Sequence, residues 1–339
     1  MSGVVQVTLA EKDDGLRLDR WFKENYPGLA YGRLQKMLRT GQIRLDGKRV
    51  KTSTRLEEGQ LLRVPPIDDD AQTSQRPPRP ERQNPEALDF IRSIILHEDD
   101  DIIVLNKPSG LASQGGSGTR RHVDGLLSAL EKNGERPRLV HRLDRDTSGL
   151  LLVAKTRKAA SKLGTVFRTR SARKIYWALT IGVPRPQQGE ISAFVKKMQS
   201  NIPGTSGEIV RVVEAGEPGS QHSHSYYSVV EQAGQKFAWV SLKPVTGRTH
   251  QLRVHMTELG TPIYGDPKYQ IIPDGETADW ANAEGLENRL HLHARRLVIP
   301  HPSGGKLDIT APLPPHMKNS WEALGLDPHR YDMADEDEL

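Results

Sequence analysis

The chain has 339 residues, of which 35% are apolar and 27% charged, with no cysteine and a formal net charge of +5 at pH 7. This length accommodates two or three domains with a sizeable core, and the lack of cysteine excludes disulfides and cysteine-ligated zinc. No apolar run is long enough to span a membrane, and the N-terminus lacks the basic-then-apolar order of a signal peptide, so a cytoplasmic location is expected.

The charge is distributed unevenly and divides the chain into four parts. Residues 1–64 carry a net charge of +5 and residues 89–326 carry +7, whereas residues 65–88 carry −2 and residues 327–339 carry −5. Basic folded parts favour a polyanionic partner, although an excess of this size also serves solubility. We therefore expect two basic domains, 1–64 and 89–326, joined by an acidic linker and followed by an acidic tail.

The first part of the chain has the pattern of a small α+β domain. Leu18, Trp21 and Phe22 mark the apolar face of one helix, and a second helix is predicted from Tyr31 to Arg39. The pair Asp46-Gly47 then predicts the turn of a hairpin between short strands.

The second predicted helix carries Arg33, Lys36 and Arg39 on the arc opposite its apolar residues. A helix pair followed by a hairpin with one cationic face resembles the S4 RNA-binding domain. That resemblance implies that these three residues bind RNA. A merely solvated charged face is the alternative.

The parts on either side of the second domain are predicted to be irregular. Residues 65–88 are rich in proline and have no apolar period, which predicts a linker. The tail from Asp327 is acidic and poor in apolar residues, which predicts disorder.

The second domain opens with a short predicted helix, which is followed by a predicted strand, Ile102 to Leu105, that ends in Asn106-Lys107-Pro108-Ser109-Gly110. The side chain of Lys107 could bind a phosphate of a nucleic acid. A structural role for the segment is at least as consistent with the pattern.

The most informative stretch is His141-Arg142-Leu143-Asp144-Arg145-Asp146-Thr147-Ser148-Gly149, followed by the apolar run Leu150 to Ala154. If the extended chain before it continues to Asp144, a period of two puts Arg142 and Asp144 on one face. The residue types from Asp146 to Gly149 are typical of a tight turn. A surface ion pair at a hairpin corner is the alternative interpretation.

Two further stretches downstream carry polar residues at defined positions. Residues 173–179 alternate as a strand, with Tyr176 on one face and Trp177 on the other. A helix is predicted from near Thr249 to Gly260, and Arg248 lies just before its N-terminus.

These stretches together resemble the pseudouridine synthases of the RluA family. Residues 141–152 match the motif HRLDxxTSGLLL, residues 106–110 the block NKPxG, and residues 174–178 the block KxYxA. The resemblance extends from Gly15 to about Trp321. It implies that Asp144 is catalytic, that Tyr176 lies against the target uracil, and that Arg248 pairs with Asp144. Within the family, the sequence most resembles the synthases of large-subunit ribosomal RNA.

The resemblance implies an α+β fold in which an S4 domain precedes a catalytic domain built on a mostly antiparallel sheet. Isomerising uridine breaks the N1–C1′ bond and joins C5 to C1′, which needs neither oxidation nor energy input, so no cofactor is expected. Arg142 would fill the gap left by the extruded nucleotide, and Tyr176 offers a flat face and a phenolic oxygen as a candidate base. Attack at C1′, attack at C6 and elimination stay open.

The expected partner is large-subunit (23S) ribosomal RNA, acted on by a monomer. Alternatives are a synthase of transfer RNA, a non-catalytic RNA-binding or ribosome assembly factor, and a nucleoside hydrolase, which would release free uracil. The pairs His222/His224 and His291/His293 could each present two imidazoles. They lack a third ligand at recognisable spacing, so no metal site is expected.

Overall fold

The structure, a computed structural model, describes residues 4–10, 13–67, 85–115, 121–132, 134–199, 208–269 and 285–331. The chain forms two compact units, residues 1–84 and residues 85–339. No helix in the described ranges is long and apolar enough to cross a membrane.

The first unit consists of two helices and a small sheet. Its elements are β1 (Val5–Thr8), α1 (Leu18–Asn25), α2 (Tyr31–Arg39), β2 (Arg44–Leu45) and β3 (Leu61–Val64). The strands pair antiparallel in the order β1-β3-β2. Both predicted helices are confirmed, and their apolar faces form one core: Leu18, Trp21, Phe22, Leu34, Met37 and Leu38 are all buried.

The predicted hairpin is only partly correct. Asp46 and Gly47 form the turn with positive φ angles of 48° and 75°, but β2 pairs with β3, and Lys48 contributes a single bridge to Leu45. The reason is apolar burial, because alternate residues of β3 are buried in the core. Three cationic side chains of α2 are exposed: Arg33, Lys36 and Arg39.

The second unit contains most of the secondary structure. Its helices are α3 (Pro85–Ser93), α4 (Val123–Leu126), α5 (Arg157–Arg168), α6 (Gln251–Glu258) and α7 (Pro315–Ala323), with 3₁₀ helices at Leu127–Leu130 and Pro328–Tyr331. Its strands are β4 (Ile95–Glu98), β5 (Ile102–Lys107), β6 (Arg138–Leu139), β7 (Ser148–Ala154), β8 (Arg173–Ile181), β9 (Gln188–Gln199), β10 (Glu208–Val213), β11 (Gln221–Ala233), β12 (Phe237–Pro244), β13 (Leu292–Pro300) and β14 (Lys306–Thr310).

Two predicted boundaries are corrected. Helix α3 begins at Pro85, inside the predicted linker, because Ala87 and Leu88 pack against the core of the second unit. The predicted tail begins too early, since Pro328–Tyr331 forms a 3₁₀ helix. Residues 68–84 of the linker and 332–339 of the tail lie outside the described residues.

In the described part of the second unit, the strands form one mixed sheet of 11 strands. Nine follow the order β10-β9-β11-β12-β8-β13-β7-β5-β4, while β14 pairs with β13 and β6 with β7. All pairs are antiparallel except β13 and β7. The expected α+β fold with a mostly antiparallel sheet is confirmed.

The two faces of β8 pack against different helices. Trp177 is buried with Trp239 and with Trp321 of α7. Tyr176, its neighbour, points to the opposite face, where it packs against two clusters that include Leu163 of α5 and Leu252 of α6. Tyr176 therefore lies where the two apolar clusters of that face meet.

The two halves of the sheet join through a close backbone contact. In the register of the sheet, Ala294 of β13 lies between Gly149 of β7 and Tyr176 of β8. Gly149 has a φ of 105°, and a Cβ at this position would lie 2.3 Å from the carbonyl oxygen of Ala294. Glycine is required here, and its absence of a side chain brings the chain before β7 close to Tyr176.

We predict that Gly149→Ala destabilises the protein by more than about 2 kcal/mol, because the new Cβ forces β7 away from β13 in a backbone conformation that alanine avoids. Urea denaturation followed by circular dichroism measures the change. Gly164→Ala is the control, because Gly164 is helical and a Cβ there meets nothing within 4 Å. The control should be stabilised by roughly 0.5–1 kcal/mol. Equal stability of the two variants would contradict the role of the contact.

Candidate active site

The loop that carries Asp144 is fixed through its backbone on both sides of that residue. Before it, the Ser113 hydroxyl donates to the carbonyl oxygen of Leu143 (2.7 Å) and accepts from its N–H (3.0 Å). After it, the carbonyl oxygen of Arg145 accepts from the N–H of Gly110 (2.9 Å). Asp144 therefore stands on a loop whose neighbouring residues have satisfied hydrogen bonds.

The prediction that Lys107 binds RNA is wrong. Its side chain is fully buried, and Nζ donates to the carbonyl oxygens of Pro108 (3.0 Å), Leu111 (2.8 Å) and Arg145 (2.9 Å). Burial lowers its pKa to about 7, against the opposing charges of Asp146 and Asp144. The alternative structural role fits these contacts, since Lys107 ties the end of β5 to the Asp144 loop.

His141 holds the start of the same loop. Its Nε2 accepts a hydrogen bond from the N–H of Leu152 (2.8 Å), and its ring stacks on Phe167 at a centroid distance of 4.6 Å. Burial, with a contribution from Lys174, lowers the pKa of His141 to about 3. The imidazole is therefore neutral, as the acceptor role of Nε2 requires.

Arg142 and Asp144 do not lie on a strand, because β6 ends at Leu139 and the chain is irregular until β7 begins at Ser148. The two side chains nevertheless line the same two cavities, which have volumes of about 460 and 490 Å³. Arg142 is exposed and Asp144 is 19% exposed. Arg142 and Asp144 therefore face the same space, as expected, but they do so from an irregular loop and not from the predicted strand.

The arginine that approaches Asp144 is Arg253, not the predicted Arg248. Nη1 of Arg253 lies 3.7 Å from Oδ2 of Asp144. Arg248 lines the same cavity without forming an ion pair in the described chain, and its Nε donates to the carbonyl oxygen of His222 (3.0 Å). The reason is helix geometry: Arg248 precedes α6, whereas Arg253 projects from within that buried helix.

Arg253 is itself held by a second carboxylate. Its Nε and Nη2 donate to the two oxygens of Asp266, both at 2.7 Å, in a fully buried bidentate pair. Asp266 also accepts from the N–H groups of Lys268 and Tyr269. This arrangement leaves Nη1 of Arg253 as the group that faces Asp144.

Positive charges near Asp144 counteract the effect of burial on its pKa. Burial raises the pKa of its carboxyl group, while Arg253, Arg142 and Lys107 lower it, in that order, and Asp146 raises it. Such a carboxylate is poorly solvated and has few hydrogen bonds of its own. These are the properties of a reactive carboxylate.

Tyr176 faces the cavity of about 460 Å³ opposite the Asp144 loop, as predicted from the alternation of β8. Burial, and then the charge of Asp144, raises the pKa of its hydroxyl far above neutrality. The phenol is therefore protonated at rest. Its ring face is the group that it presents most readily to a planar base.

The comparisons with known proteins agree with this geometry. The family model described as RNA pseudouridylate synthase matches residues 101–258. Ribosomal large subunit pseudouridine synthase C of Vibrio cholerae is 35% identical over 93% of this chain and 95% of its own. The corresponding protein of Escherichia coli K12 is 36% identical over 94% of this chain and 96% of its own. The chain belongs to the RluA family of RNA pseudouridine synthases.

Two further relatives also match more than two thirds of this chain. RNA pseudouridine synthase 4, mitochondrial, of Arabidopsis thaliana is 34% identical over 90% of this chain and 78% of its own. The solved structure of human RNA pseudouridylate synthase domain containing 4 has a TM-score of 0.57 at 29% identity and covers 71% of this chain and 98% of its own.

The histidine pairs of this synthase have protein partners. His222 contacts the hydroxyl of Ser192 (2.9 Å), and His224 contacts the carboxylate of Glu190 (3.0 Å). His291 and His293 are fully buried with hydroxyl and carbonyl partners. Among the residues that the structure describes, no three histidine or carboxylate side chains come together as a metal site.

Sequence reasoning missed Arg253, Asp266 and the loop anchor Ser113. Arg253 lies within the helix predicted from Thr249 to Gly260, so a signal existed, but the choice between Arg248 and Arg253 depends on where α6 begins. Its N-cap is His250, in the left-handed conformation with a φ of 52°. Asp266 lies 13 residues further on, and no local pattern connects it to the site.

We predict that Arg253→Lys lowers the turnover of the synthase at least about tenfold at neutral pH, because lysine cannot both pair with Asp266 and face Asp144. The acid limb of the pH–rate profile should move to higher pH, since the charge of a lysine paired with Asp266 lies farther from Asp144 and opposes its protonation less. Arg248→Lys is the matched control and should leave the acid limb in place. A shift with Arg248→Lys and none with Arg253→Lys would reverse the assignment. Thermal unfolding checks that both variants are folded.

Proposed function

We propose that this synthase isomerises uridine to pseudouridine in large-subunit ribosomal RNA, with Asp144 as the catalytic residue. The observation that carries the proposal is the position of Asp144: a half-buried carboxylate on a fixed loop, 3.7 Å from a buried arginine, in a cavity that also contains Tyr176. The names of the bacterial relatives, which refer to the ribosomal large subunit, support the choice of RNA.

The cavity that contains Tyr176 suits one extruded nucleotide. Its volume of about 460 Å³ lies within the range of small-ligand sites. A uridine inside a folded RNA must leave its stack to reach Asp144, which costs a few kcal/mol. Arg142, exposed where the two cavities meet, has the length and charge to occupy the space that the base leaves.

The reaction balances without a further reactant. The N1–C1′ bond breaks, the uracil turns, the C5–C1′ bond forms, a proton leaves C5 and N1 carries a proton in the product. The Asp144 carboxylate is suited to act at the sugar or the base while uracil is detached. The face of Tyr176 retains the ring in the cavity. Because the raised pKa of the Tyr176 hydroxyl keeps it protonated, Tyr176 is better suited to hold the uracil ring than to act as a base.

Arg253 acts through Asp144 in this proposal. Its charge keeps the carboxylate ionised in a site where burial favours protonation. Because Nε and Nη2 of Arg253 are bound to Asp266, Arg253 does not form a bidentate ion pair with Asp144. The carboxylate oxygens therefore stay available to the substrate.

The test combines mapping with substitution. Pseudouridines are mapped at nucleotide resolution in ribosomal and transfer RNA from cells that lack the protein, and from the same cells supplied with wild type or with Asp144→Asn. Wild type should restore one or more large-subunit sites. Asp144→Asn, which keeps the size of the side chain and removes its charge, should restore none and retain less than about a hundredth of the rate in vitro.

Each outcome of that experiment is decisive for one part of the proposal. Restored sites in transfer RNA alone would refute the choice of substrate. Free uracil in place of pseudouridine would indicate a hydrolase. Activity of Asp144→Asn close to wild type would remove Asp144 from the chemistry. Unchanged RNA affinity of the variant is the control for folding.

We infer further that the first unit is an S4-type domain that binds RNA. The support is its two helices on a small sheet and the exposed positions of Arg33, Lys36 and Arg39 on α2. An exposed cationic arc on a rigid helix suits contacts with phosphates, which fix orientation without reading sequence.

Lys36→Gln combined with Arg39→Gln tests the role of this arc. The slope of log affinity against log salt should become shallower by roughly 0.7 to 0.9 for each phosphate group that the variant no longer neutralises, measured with a ribosomal RNA fragment. Arg20→Gln combined with Lys23→Gln removes two exposed cations from α1 and is the matched control. If both pairs change the slope equally, or neither does, the arc has no specific role in binding RNA.

A further inference from the structure

Three cations line the cavity that contains Tyr176 and have no role in the mechanism above. Arg168 ends α5, Arg170 follows it, and Lys174 lies at the start of β8. Arg168 and Arg170 are exposed, while Lys174 is half-buried. The sequence motifs assign no function to these three residues. Lys174 is the first residue of the block KxYxA, and that block gives it no role.

The three cations are not neutralised by the protein. In the described part of the chain, none of them forms an ion pair, and Arg168 makes one hydrogen bond, to the hydroxyl of Thr165 (3.0 Å). Among the described residues, Asp144 is the one carboxylate in the lining of this cavity. Positive charges gathered in a partly desolvated site without a counter-charge destabilise the folded protein, so they suit a bound anion.

Lys174 shows this cost most clearly. Burial, and then repulsion by Arg170, lowers the pKa of its ammonium group. A lysine whose pKa is lowered on folding destabilises the folded state at every pH at which it carries its charge, and the cost disappears only as pH rises toward the pKa of the unfolded chain. An anion that binds beside Lys174 and Arg170 removes that cost.

The position of Lys174 relative to Tyr176 indicates which anion. The two residues are two positions apart on β8, so they project from the same face about 6.6 Å apart. A nucleotide whose base lies on the ring of Tyr176 carries its sugar and phosphate away from the ring by a comparable distance. The cations lie on the side of Tyr176 toward α5.

We propose that Arg168, Arg170 and Lys174 bind a phosphodiester group next to the target uridine, so that the extruded nucleotide is held at its base by Tyr176 and at its backbone by these cations. This inference rests on the proposed function of the cavity. The two arginines offer planar forks that match phosphate oxygens, and the lysine offers a point charge.

Lys174→Met is the first test, because methionine keeps the apolar stem of the side chain and removes the charge. Affinity for a short single-stranded ribosomal RNA fragment should fall, and the salt slope should become shallower by about 0.7, the value for one phosphate group. The melting temperature should stay the same or rise, since an uncompensated cation has been removed. Lys158→Met, at an exposed position early in α5, is the matched control and should change none of these quantities.

The second test locates the phosphate. A fragment that the wild type converts is prepared with a neutral methylphosphonate at the linkage on the 5′ or the 3′ side of its target uridine. At one of the two linkages, the neutral group should weaken binding to wild type more than it weakens binding to Lys174→Met. Arg168→Gln combined with Arg170→Gln should show the same coupling at that linkage.

The outcomes separate this inference from the proposed function. A lower melting temperature with unchanged affinity would mean that Lys174 is structural, and reduced affinity without coupling at either linkage would mean that the cations meet RNA elsewhere. Either result overturns the inference while conversion by wild type still supports the synthase. If wild type converts no RNA, the proposed function fails, and the salt slopes alone then decide whether this cluster binds RNA.

Discussion

The contact of Gly149 with the backbone of Ala294 is the constraint on which the rest of the catalytic unit depends. The Asp144 loop enters the sheet through β7, and Tyr176 belongs to β8, with β13 between them. A side chain at residue 149 would overlap the carbonyl oxygen of Ala294, so only glycine lets β7 run beside β13. Adjacent strands lie about 4.8 Å apart, which sets the width of the cavity between carboxylate and tyrosine.

The electrostatics of the site follow from this placement. A carboxylate in the cavity that contains Tyr176 is poorly solvated, and a single arginine close by would pair with it closely and block it. Asp266 prevents this by engaging Nε and Nη2 of Arg253, both at 2.7 Å, so the approach to Asp144 stays at 3.7 Å. Positive charge is thus near enough to favour ionisation, and the oxygens of Asp144 are left accessible.

The cations around Asp144 divide into two classes by their partners. Lys107 and Arg253 are buried and have protein acceptors for their donors, so they build the site. Arg142, Arg170 and Lys174 line the cavity without such partners in the described chain. A protein that leaves charge uncompensated in a concave surface loses some stability and gains affinity for a polyanion. This division, and not net charge, is the basis on which we propose which basic residues contact RNA.

The sequence by itself determined the local structure and the identity of the chemistry. The helix at Leu18, Trp21 and Phe22 and the opposite directions of Tyr176 and Trp177 follow from periods of 3.6 and 2, because burial acts on every turn or every second residue. The block from His141 to Gly149 identified the family and with it Asp144. It also identified the fold class.

Only the tertiary structure decided which side chains meet. The pairing of Arg253 with Asp144 and Asp266, the burial of Lys107 and the exposure of Lys174 to the same cavity depend on strand order and register between segments far apart in sequence. Arg248 precedes the predicted helix and Arg253 lies within it, and a difference of a few residues in where α6 begins changes the direction of each side chain. Sequence patterns record which face of its own element a residue occupies, whereas distances across the sheet are set by packing.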